Sequence, residues 1–329
     1  MVKIYTSEEE LKSIFNALPI PATAQYMQAK SDNYGWFVSE NFILPFIIDE
    51  KLIFKRMIFT FAPIPLQKEL SIADEKIFLD EIVDLTKKES LCDFINKPQA
   101  YAIFRTYPAQ SQYAPWGTYE IDITNDEQSI LHSFHKSHIK ALQNAIKDDI
   151  KIDFDLPANQ LHEIVYDSVK RTGSLACPPL EYFQKIKETL GKNSLFIGAF
   201  KDDILQSALM ILFDDKVAYE LYGGYIFGAH KGSGHLLKYE AIKYIKKHSN
   251  AQIFDLCGVR INVKPDSKYA AIQQYKERFN PKLIEGYAFK VIIKPLKTKL
   301  FNLLVKLYSK RKGIHYIDPI DQLLTGDYD

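Results

Sequence analysis

Residues 217–258 read VAYELYGGYIFGAHKGSGHLLKYEAIKYIKKHSNAQIFDLCG, and this stretch decides the fold. Its first part, 217–225, alternates β-branched and aromatic residues, as strands do. The chain then breaks on Gly223–Gly224 and on 232–234 before a segment of helical periodicity. The face predicted to be buried carries Leu237, Ala241, Tyr244, Ile245 and His248, and the side predicted to face solvent carries Lys238, Lys243, Lys246 and Lys247. The stretch therefore predicts a strand, a glycine-rich loop and an amphipathic helix.

The glycine-rich loop has two interpretations. Closely spaced glycines at a helix start let the backbone approach a ligand, and the first N–H groups and the positive end of the helix dipole favour a phosphate or pyrophosphate. A plain tight turn is the alternative. The residues of this candidate phosphate or CoA loop are Lys231, Gly232, Ser233, Gly234 and His235.

The composition is that of an ordinary globular protein. Its 329 residues, 47% hydrophobic and 25% charged, leave room for two domains. The net charge of +1 gives no overall attraction to nucleic acid, so a polyanionic partner needs a local basic patch. The three cysteines lack metal-ligand spacing and indicate a reducing compartment. Because no signal peptide and no membrane-spanning apolar run is seen, we expect a cytoplasmic protein.

Hydrophobic periodicity predicts the same element order twice. The first half is predicted to hold a helix from Thr6 or Ser7, a short helix at 24–30, strands at 36–38, 42–48 and 52–61, a helix at 73–88, strands at 100–105 and 118–123, and one long helix at 126–147. The second half is predicted to hold helices at 158–170 and 180–190, strands at 194–200, 205–213 and 217–225, the loop and its helix, a strand at 251–257, a helix at 268–278 and a strand at 287–293.

This order is that of the GNAT acyltransferase fold. We therefore predict an α/β (α+β) protein with two tandem GNAT-like domains, in which mixed, mostly antiparallel sheets are flanked by helices. The predicted limits are 1–150 for domain 1 and 151–293 for domain 2. Residues 294–329 form a basic amphipathic helix and tail that pack back on domain 1.

Several short motifs add a resemblance that covers most of the chain. They are QYMQAK at 25–30 followed by YGW at 34–36, HIKALQNA at 138–145, KRTG at 170–173 with Tyr182–Phe183, LYGG at 221–224, Phe254–Asp255 and YKERF at 275–279. In order and spacing they resemble the FemABX family of peptidyltransferases. That family has two tandem GNAT-like domains and transfers amino acids from aminoacyl-tRNA to a peptidoglycan precursor. The chain has no room for the helical arm of some members and so resembles the armless form.

The resemblance implies roles for four residues. It places precursor binding on Lys30, Tyr182 and Tyr222, and a position near the reacting acyl group on Lys276. These residues are expected to line a cleft between the two domains. A peptidoglycan precursor or another amine acceptor is the implied partner, and aminoacyl-tRNA is the implied co-substrate.

The chain departs from the family pattern just before the helix predicted at 180–190. Where the family would place an arginine four residues before Tyr182, this chain has Pro178. Either Arg171 substitutes for it in binding the precursor, or the acceptor is a different molecule. The departure also keeps open a non-catalytic module that only binds a precursor.

Acyl transfer to an amine needs few side chains. A neutral amine attacks the acyl carbon, and Lys276 can stabilise the oxyanion, an effect worth ~3 kcal/mol. Asp255 or the Tyr222 hydroxyl can take or relay the amine proton. The structural alternatives are a solvated helix lysine for Lys276, a loop-capping carboxylate for Asp255 and a strand aromatic for Tyr222.

An acyl-CoA-dependent N-acyltransferase, acting on a small-molecule or cell-envelope amine, is the main enzymatic alternative. Residues 232–234 partly resemble the GNAT pyrophosphate loop, but Ala229 stands where that loop has Arg or Gln. No bound cofactor and no metal are expected. The histidines at 132, 135 and 138 spread around a helix, and nothing nearby activates Cys177.

The tail, 293–312, reads IKPLKTKLFNLLVKLYSKRK and predicts a basic amphipathic helix. Such a helix packs on the first domain with its lysines outward, lies on an anionic membrane surface or binds RNA phosphates. Membrane contact through 294–312 would suit a lipid-linked acceptor and a cytoplasmic protein that associates with the membrane.

Overall fold

The computed structural model describes residues 1–12, 14–15, 17–171, 177–311 and 317–325. The chain forms two compact units. Unit 1 comprises 1–117, 258–264 and 284–329, and unit 2 comprises 118–257 and 265–283. The chain thus leaves unit 1 twice and returns twice. The limits of the units differ from those predicted for the domains, and the predicted tail segment falls in unit 1.

The elements up to residue 122 belong to unit 1, except the end of the last strand. In chain order they are β1 (Lys3–Tyr5), α1 (Glu8–Leu11), α2 (Ala24–Gln28), β2 (Tyr34–Val38), β3 (Phe42–Lys51), β4 (Phe54–Phe59), β5 (Ile64–Pro65), α3 (Ile72–Lys88), β6 (Phe94–Ile95) and β7 (Gln112–Asp122).

The later elements alternate between the units. They are α4 (Glu127–Ser133), α5 (Lys136–Lys147), β8 (Lys151–Asp153), α6 (Ala158–Arg171), α7 (Leu180–Leu190), β9 (Ser194–Lys201), β10 (Ile204–Phe213), β11 (Val217–Tyr225), α8 (Ser233–His248), β12 (Ile253–Asp255), β13 (Val259–Arg260), α9 (Lys268–Glu277), β14 (Lys282–Ile292), α10 (Pro295–Arg311) and α11 (Pro319–Thr325).

The sheet of unit 1 has the predicted GNAT pattern. Its strand order is β1-β2-β3-β4-β6-β14, and all neighbours are antiparallel except β4 and β6, which are parallel. The core is aromatic: the Phe104 and Phe289 rings lie 4.9 Å apart, and Phe59 packs against both. The last strand, β14, comes from the far end of the chain. Tertiary pairing thus completes this sheet with residues remote in sequence.

The sheet of unit 2 repeats the pattern. The end of β7 pairs antiparallel with β12, β12 pairs parallel with β11, and β11, β10, β9 and β8 continue antiparallel. A register shift lets Glu220 face Ile211 and Tyr222 face Met210, so Leu221 is an extra residue in β11. Gly224 lets α6 come close, because a Cβ there would lie 2.5 Å from the Ile164 carbonyl oxygen.

Most predicted helices and strands begin and end within one or two residues of their predicted limits. Two of the predictions, a strand and a long helix, are wrong. Residues 100–105 form no strand; Phe104 only bridges to Tyr287. The long helix predicted at 126–147 is two helices, because Phe134 is extended and the His135 ring accepts a hydrogen bond from the Ser137 N–H at the start of α5. The predicted first helix, whose apolar pattern runs to Leu18, is shorter than predicted: α1 ends at Leu11, Ile14 and Phe15 are not helical, and Ser13 and Asn16 lie outside the described residues.

Candidate active site

Lys276 lies in the last turn of α9, in unit 2. Its ammonium donates hydrogen bonds to the carbonyl oxygens of Leu256, at 2.9 Å, and of Cys257. Burial lowers the pKa of Lys276, and the nearby Glu220 opposes that shift. A half-buried ammonium is therefore held at the carboxyl end of β12, which differs from a solvated helix lysine.

Asp255 is the last residue of β12 and is buried. Its carboxylate accepts hydrogen bonds from the Thr118 hydroxyl and from the Cys257 N–H, the latter at 2.7 Å. Burial raises the pKa of Asp255 to about 7, against the effect of those hydrogen bonds and of Lys276. The carboxyl group caps the turn after β12, as the structural alternative predicts. It also titrates where a proton acceptor for an amine is useful.

Two charged residues that the sequence analysis did not select complete this network. Lys238 of α8 is 2% exposed and forms an ion pair with Glu220 of β11. Its ammonium lies 5.2 Å from the Phe279 ring centroid and 5.9 Å from that of Phe254. The prediction that Lys238 lies on the wet side of its helix is therefore wrong. Glu220, a charged residue among strand aromatics, was the only sequence signal for such a pair.

Tyr222 and Tyr182 come together beside this network. Their ring centroids lie 5.8 Å apart, and Phe183 packs 5.4 Å from Tyr222. Burial raises the pKa of Tyr222, while a hydrogen bond with Tyr182 lowers it. Strand β11 runs parallel to β12 with Tyr219 opposite Asp255, so Tyr222, three residues further on, lies on the side of the turn after β12 to which Lys276 bonds. At neutral pH the Tyr222 hydroxyl stays protonated, which makes it a hydrogen-bonding group rather than a base.

The glycine-rich loop before α8 is packed against protein. The N–H groups of Gly232 and Ser233 donate to the ring Nδ1 and the carbonyl oxygen of His230. His230 Nε2 lies 2.8 Å from a carboxylate oxygen of Asp148. A Cβ on Gly232 would lie 2.1 Å from the carbonyl oxygen of Ala141 in α5. Helix packing and the His230 bonds thus account for this loop without a ligand, and its phosphate-binding role stays a prediction.

The remaining residues of the candidate loop, Lys231, Gly234 and His235, have different surroundings. Lys231 is exposed, Gly234 has room for a side chain, and His235 packs edge-on against His138 with ring centroids 4.3 Å apart. Burial lowers the pKa of both histidines to about 4, so both rings are neutral near pH 7. Within the described ranges, no group of three or more His, Cys, Asp or Glu residues could hold a metal ion.

Arg171 is exposed and is tied to the end of β11. Its guanidinium donates to the carbonyl oxygen of Tyr225 and to the Ser168 hydroxyl, and it lies 5.1 Å from the Tyr225 ring centroid. Residues 172–176, which include part of the KRTG motif, lie outside the described residues. The proposed substitution of Arg171 for the arginine absent at Pro178 stays a prediction.

Lys30 belongs to unit 1. Its ammonium lies 5.3 Å from the Tyr26 ring centroid, and burial lowers its pKa to about 8. The sequence analysis missed a second lysine of this kind. The Lys97 ammonium lies 4.4 Å from the Trp116 ring centroid, and burial lowers its pKa to about 8 too. Since Tyr182, Tyr222 and Lys276 belong to unit 2, the predicted cleft that joins them to Lys30 stays a prediction.

The raised pKa of Asp255 makes the stability of unit 2 depend on pH. The pKa rises from 3.8 to about 7 on folding, so the stabilising preference for the protonated form is complete at low pH and is lost as pH rises through the folded value. The linkage amounts to roughly 2.5 kcal/mol of lost stability between about pH 5 and pH 8. We expect Asp255→Asn, which keeps the shape without the charge, to abolish this slope. Hydrogen exchange of the β11 and β12 amides measures it; an unchanged slope in the variant would assign the titration to another group.

Comparison with known proteins identifies the fold. No protein-family model and no curated protein matches this sequence. Among solved structures, FemX aligns with a TM-score of 0.64 at 13% identity over 91% of this chain and 99% of FemX. L-PGS from Bacillus licheniformis aligns with a TM-score of 0.53 at 10% identity, over 90% of this chain and 95% of that one. A tandem GNAT protein from the clavulanic acid biosynthesis pathway aligns with a TM-score of 0.51 at 9% identity, over 88% and 98%. These similarities confirm the predicted fold class.

Proposed function

We propose, from the FemABX-like fold of tandem GNAT units that this chain has, that the protein transfers an amino acid to an amine of a peptidoglycan precursor. The donor is aminoacyl-tRNA or another activated acyl compound. The observation that carries the proposal is the placement of the Lys276 ammonium and the Asp255 carboxyl group around one turn, at the carboxyl end of β12. Such a pair suits acyl transfer to an amine, because the cation can stabilise the oxyanion and a group that titrates near neutral pH can take the proton.

The proposed reaction assigns one task to each group. The neutral acceptor amine attacks the carbonyl carbon of the aminoacyl ester, a C–N bond forms, and the negative oxygen that develops faces the Lys276 ammonium. Asp255 accepts the amine proton as the tetrahedral intermediate collapses. As the C–O bond to the tRNA ribose breaks, Asp255 returns that proton to the ribose oxygen, so the hydroxyl leaves, the amide remains and the carboxylate is restored. The pKa of about 7 lets Asp255 be ionised in part of the molecules at neutral pH and thus act as a base.

The tyrosines and Lys30 are proposed to bind the acceptor. In unit 2 the buried Tyr182 and Phe183 pack against the ring of Tyr222, and the partly exposed Tyr222 ring suits an apolar face of a sugar or peptide. Lys30, with a pKa of about 8, keeps most of its charge near pH 7 and suits an anionic group such as a phosphate. These assignments follow from the resemblance and from the contacts within each unit.

An acyl-CoA donor is the second candidate, supported by the similarity to a tandem GNAT protein. The geometry of the loop before α8 favours the first candidate. A pyrophosphate needs free N–H groups at a helix start, whereas those of Gly232 and Ser233 already bond to His230. A non-catalytic binding module is the third candidate, and Pro178 is the residue that supports it.

Ligand binding and turnover together test the proposal. Acetyl-CoA and a UDP-linked muropeptide are each added in a thermal-shift assay, because a ligand at a hundredfold excess over its Kd stabilises the folded state by ~2.7 kcal/mol. Total tRNA charged with labelled amino acids then supplies the donor. Stabilisation by the muropeptide with transfer of label to it supports the proposal. Stabilisation and turnover by acetyl-CoA alone supports the second candidate, and muropeptide binding without turnover of either donor supports the third.

A further inference from the structure

Helix α10 packs on unit 1 with its leucines turned toward water. Leu296 is 83% exposed, and the other leucines of the helix are between 42% and 55% exposed. They are Leu300, Leu303, Leu304 and Leu307. The side turned toward unit 1 carries Thr298, Phe301, Val305 and Ser309, of which Thr298 and Ser309 are buried. The helix thus packs on unit 1 with Lys299, Lys306 and Lys310 outward, as one of the three alternatives predicts, and its leucines face outward as well.

The contacts of α10 fix that orientation. The Phe301 ring lies 5.3 Å from Phe54 and 5.0 Å from Phe94, measured between centroids. Lys297 donates to the Ile53 carbonyl oxygen at 2.9 Å and, with Lys294, pairs with the buried Asp93 carboxylate. At roughly 100° per residue, the phenylalanine side and the leucine stripe lie on opposite faces of the helix. The leucines cannot turn inward without the loss of these contacts.

A second exposed apolar element lies beside the first turns of α10. It is the tip of the β3–β4 hairpin, where Leu52 is 97% exposed and Ile53 is 60% exposed. Leu52 also has a φ of +57°, a conformation that glycine and asparagine adopt far more readily than leucine. The hydrogen bond from Lys297 to Ile53 places this tip next to the helix. Neither the backbone conformation nor solvent exposure favours leucine here, which points to an apolar partner.

The charges around the leucine stripe have one sign. Helix α10 contains no Asp or Glu, and its cations are Lys297, Lys299, Lys306, Lys310 and Arg311. By helical spacing, Lys299, Lys306 and Lys310 border one side of the stripe and Arg311 lies at its C-terminal end, while Lys297 is held by Ile53 and Asp93 on the side toward unit 1. An apolar stripe bordered by a row of cations matches the interface of an anionic bilayer, where acyl chains lie beneath phosphates.

We infer that α10 and the β3–β4 hairpin tip form a docking face for an anionic lipid surface. The leucines and the Leu52–Ile53 tip enter the boundary between headgroups and acyl chains, and the flanking cations pair with lipid phosphates. A second copy of this chain fits less well, because two such faces would bring like charges together. In the described part of the chain no helix is long and apolar enough to cross a membrane. The inference does not depend on the proposed reaction.

Vesicle sedimentation of the full chain tests the inference. We expect binding to vesicles that contain phosphatidylglycerol and at least tenfold weaker binding to pure phosphatidylcholine vesicles. The variant Leu300→Glu/Leu303→Glu should weaken binding to the anionic vesicles at least tenfold, because carboxylates are repelled by the phosphates and do not enter the acyl-chain boundary. The variant should still fold, because both leucines are exposed and make no core contact. The matched control is Ile77→Glu, which changes an equally exposed apolar residue of α3 in the same unit.

A second variant separates charge from apolar contact. Lys299→Glu/Lys306→Glu should abolish the preference for anionic vesicles. Equal binding by wild type and by the leucine variant would overturn the inference, as would the absence of any binding by wild type. A dimer in sedimentation velocity that the leucine variant abolishes, with no vesicle binding, would instead assign this face to self-association and overturn the lipid assignment.

Discussion

Lys276→Ala is expected to lower kcat about a hundredfold to a thousandfold, the loss found when one donor to a developing oxyanion is removed. The substitution deletes the cation at the carboxyl end of β12 and leaves the cluster of Tyr182 and Tyr222 in place. Binding of the acceptor, measured by calorimetry, should therefore change little. Steady-state transfer of a labelled amino acid to the precursor measures kcat.

The matched control for Lys276→Ala is Lys268→Ala, an exposed lysine in the first turn of the same helix. It should leave kcat within about twofold of wild type, as surface substitutions usually do. Because Lys276 also bonds to the Leu256 and Cys257 carbonyls, hydrogen exchange of those segments checks that the turn is intact. An intact turn with unchanged kcat would remove Lys276 from the reaction.

Lys238→Met is expected to destabilise unit 2 by about 3–5 kcal/mol, the usual cost when one partner of a buried ion pair is removed. The ammonium of Lys238 is almost completely buried and neutralises Glu220. Methionine fills a similar volume, so the loss comes from the carboxylate left without a cation rather than from a cavity. Chemical denaturation measures the change in the free energy of unfolding.

The double variant Glu220→Gln/Lys238→Met distinguishes the effect of the unpaired charge on stability from the effect of changed packing. It should regain most of the lost stability, because replacing both partners removes the buried charge altogether. Lys247→Met, an exposed lysine of the same helix, is the control and should change stability by less than about 0.5 kcal/mol. Both tryptophans, Trp36 and Trp116, lie in unit 1, so hydrogen exchange of α8 and not fluorescence should be the probe. A double variant as unstable as the single one would argue against the charge explanation.

Lys276→Ala and Lys238→Met test two roles of the charged groups around Glu220, one in the reaction and one in stability. Glu220 lies close to both lysines: it pairs with Lys238 and opposes the burial that lowers the pKa of Lys276. Loss of the Glu220 charge should thus lower the pKa of Lys276 further. The Glu220→Gln variant alone is therefore expected to move the loss of the Lys276 cation to lower pH, and to reduce stability because Lys238 is left buried without its carboxylate.

The sequence by itself determined the order of the elements. Helix α7 and strand β11 have their predicted limits, 180–190 and 217–225, because the pattern of apolar residues that defines each element is local. The same order, three antiparallel strands followed by a helix and a parallel strand, was sufficient to predict the fold class, but not that β14 completes the sheet of unit 1 and that the end of β7 pairs in unit 2. The motifs that resemble the FemABX family named Lys276, Asp255, Tyr182 and Tyr222, all of which lie in unit 2, around the end of β12 and the neighbouring strand β11.

Only the tertiary structure decided what each charged or apolar side chain faces. Lys238 is buried because Glu220, on another element, neutralises its charge. The loop before α8 packs against Ala141 of α5. The leucines of α10 face outward because Phe301 on its other side packs on Phe54 and Phe94. Helical periodicity gives the spacing of a stripe but not the direction in which it points. That direction is set by contacts between residues far apart in sequence, which no local pattern encodes.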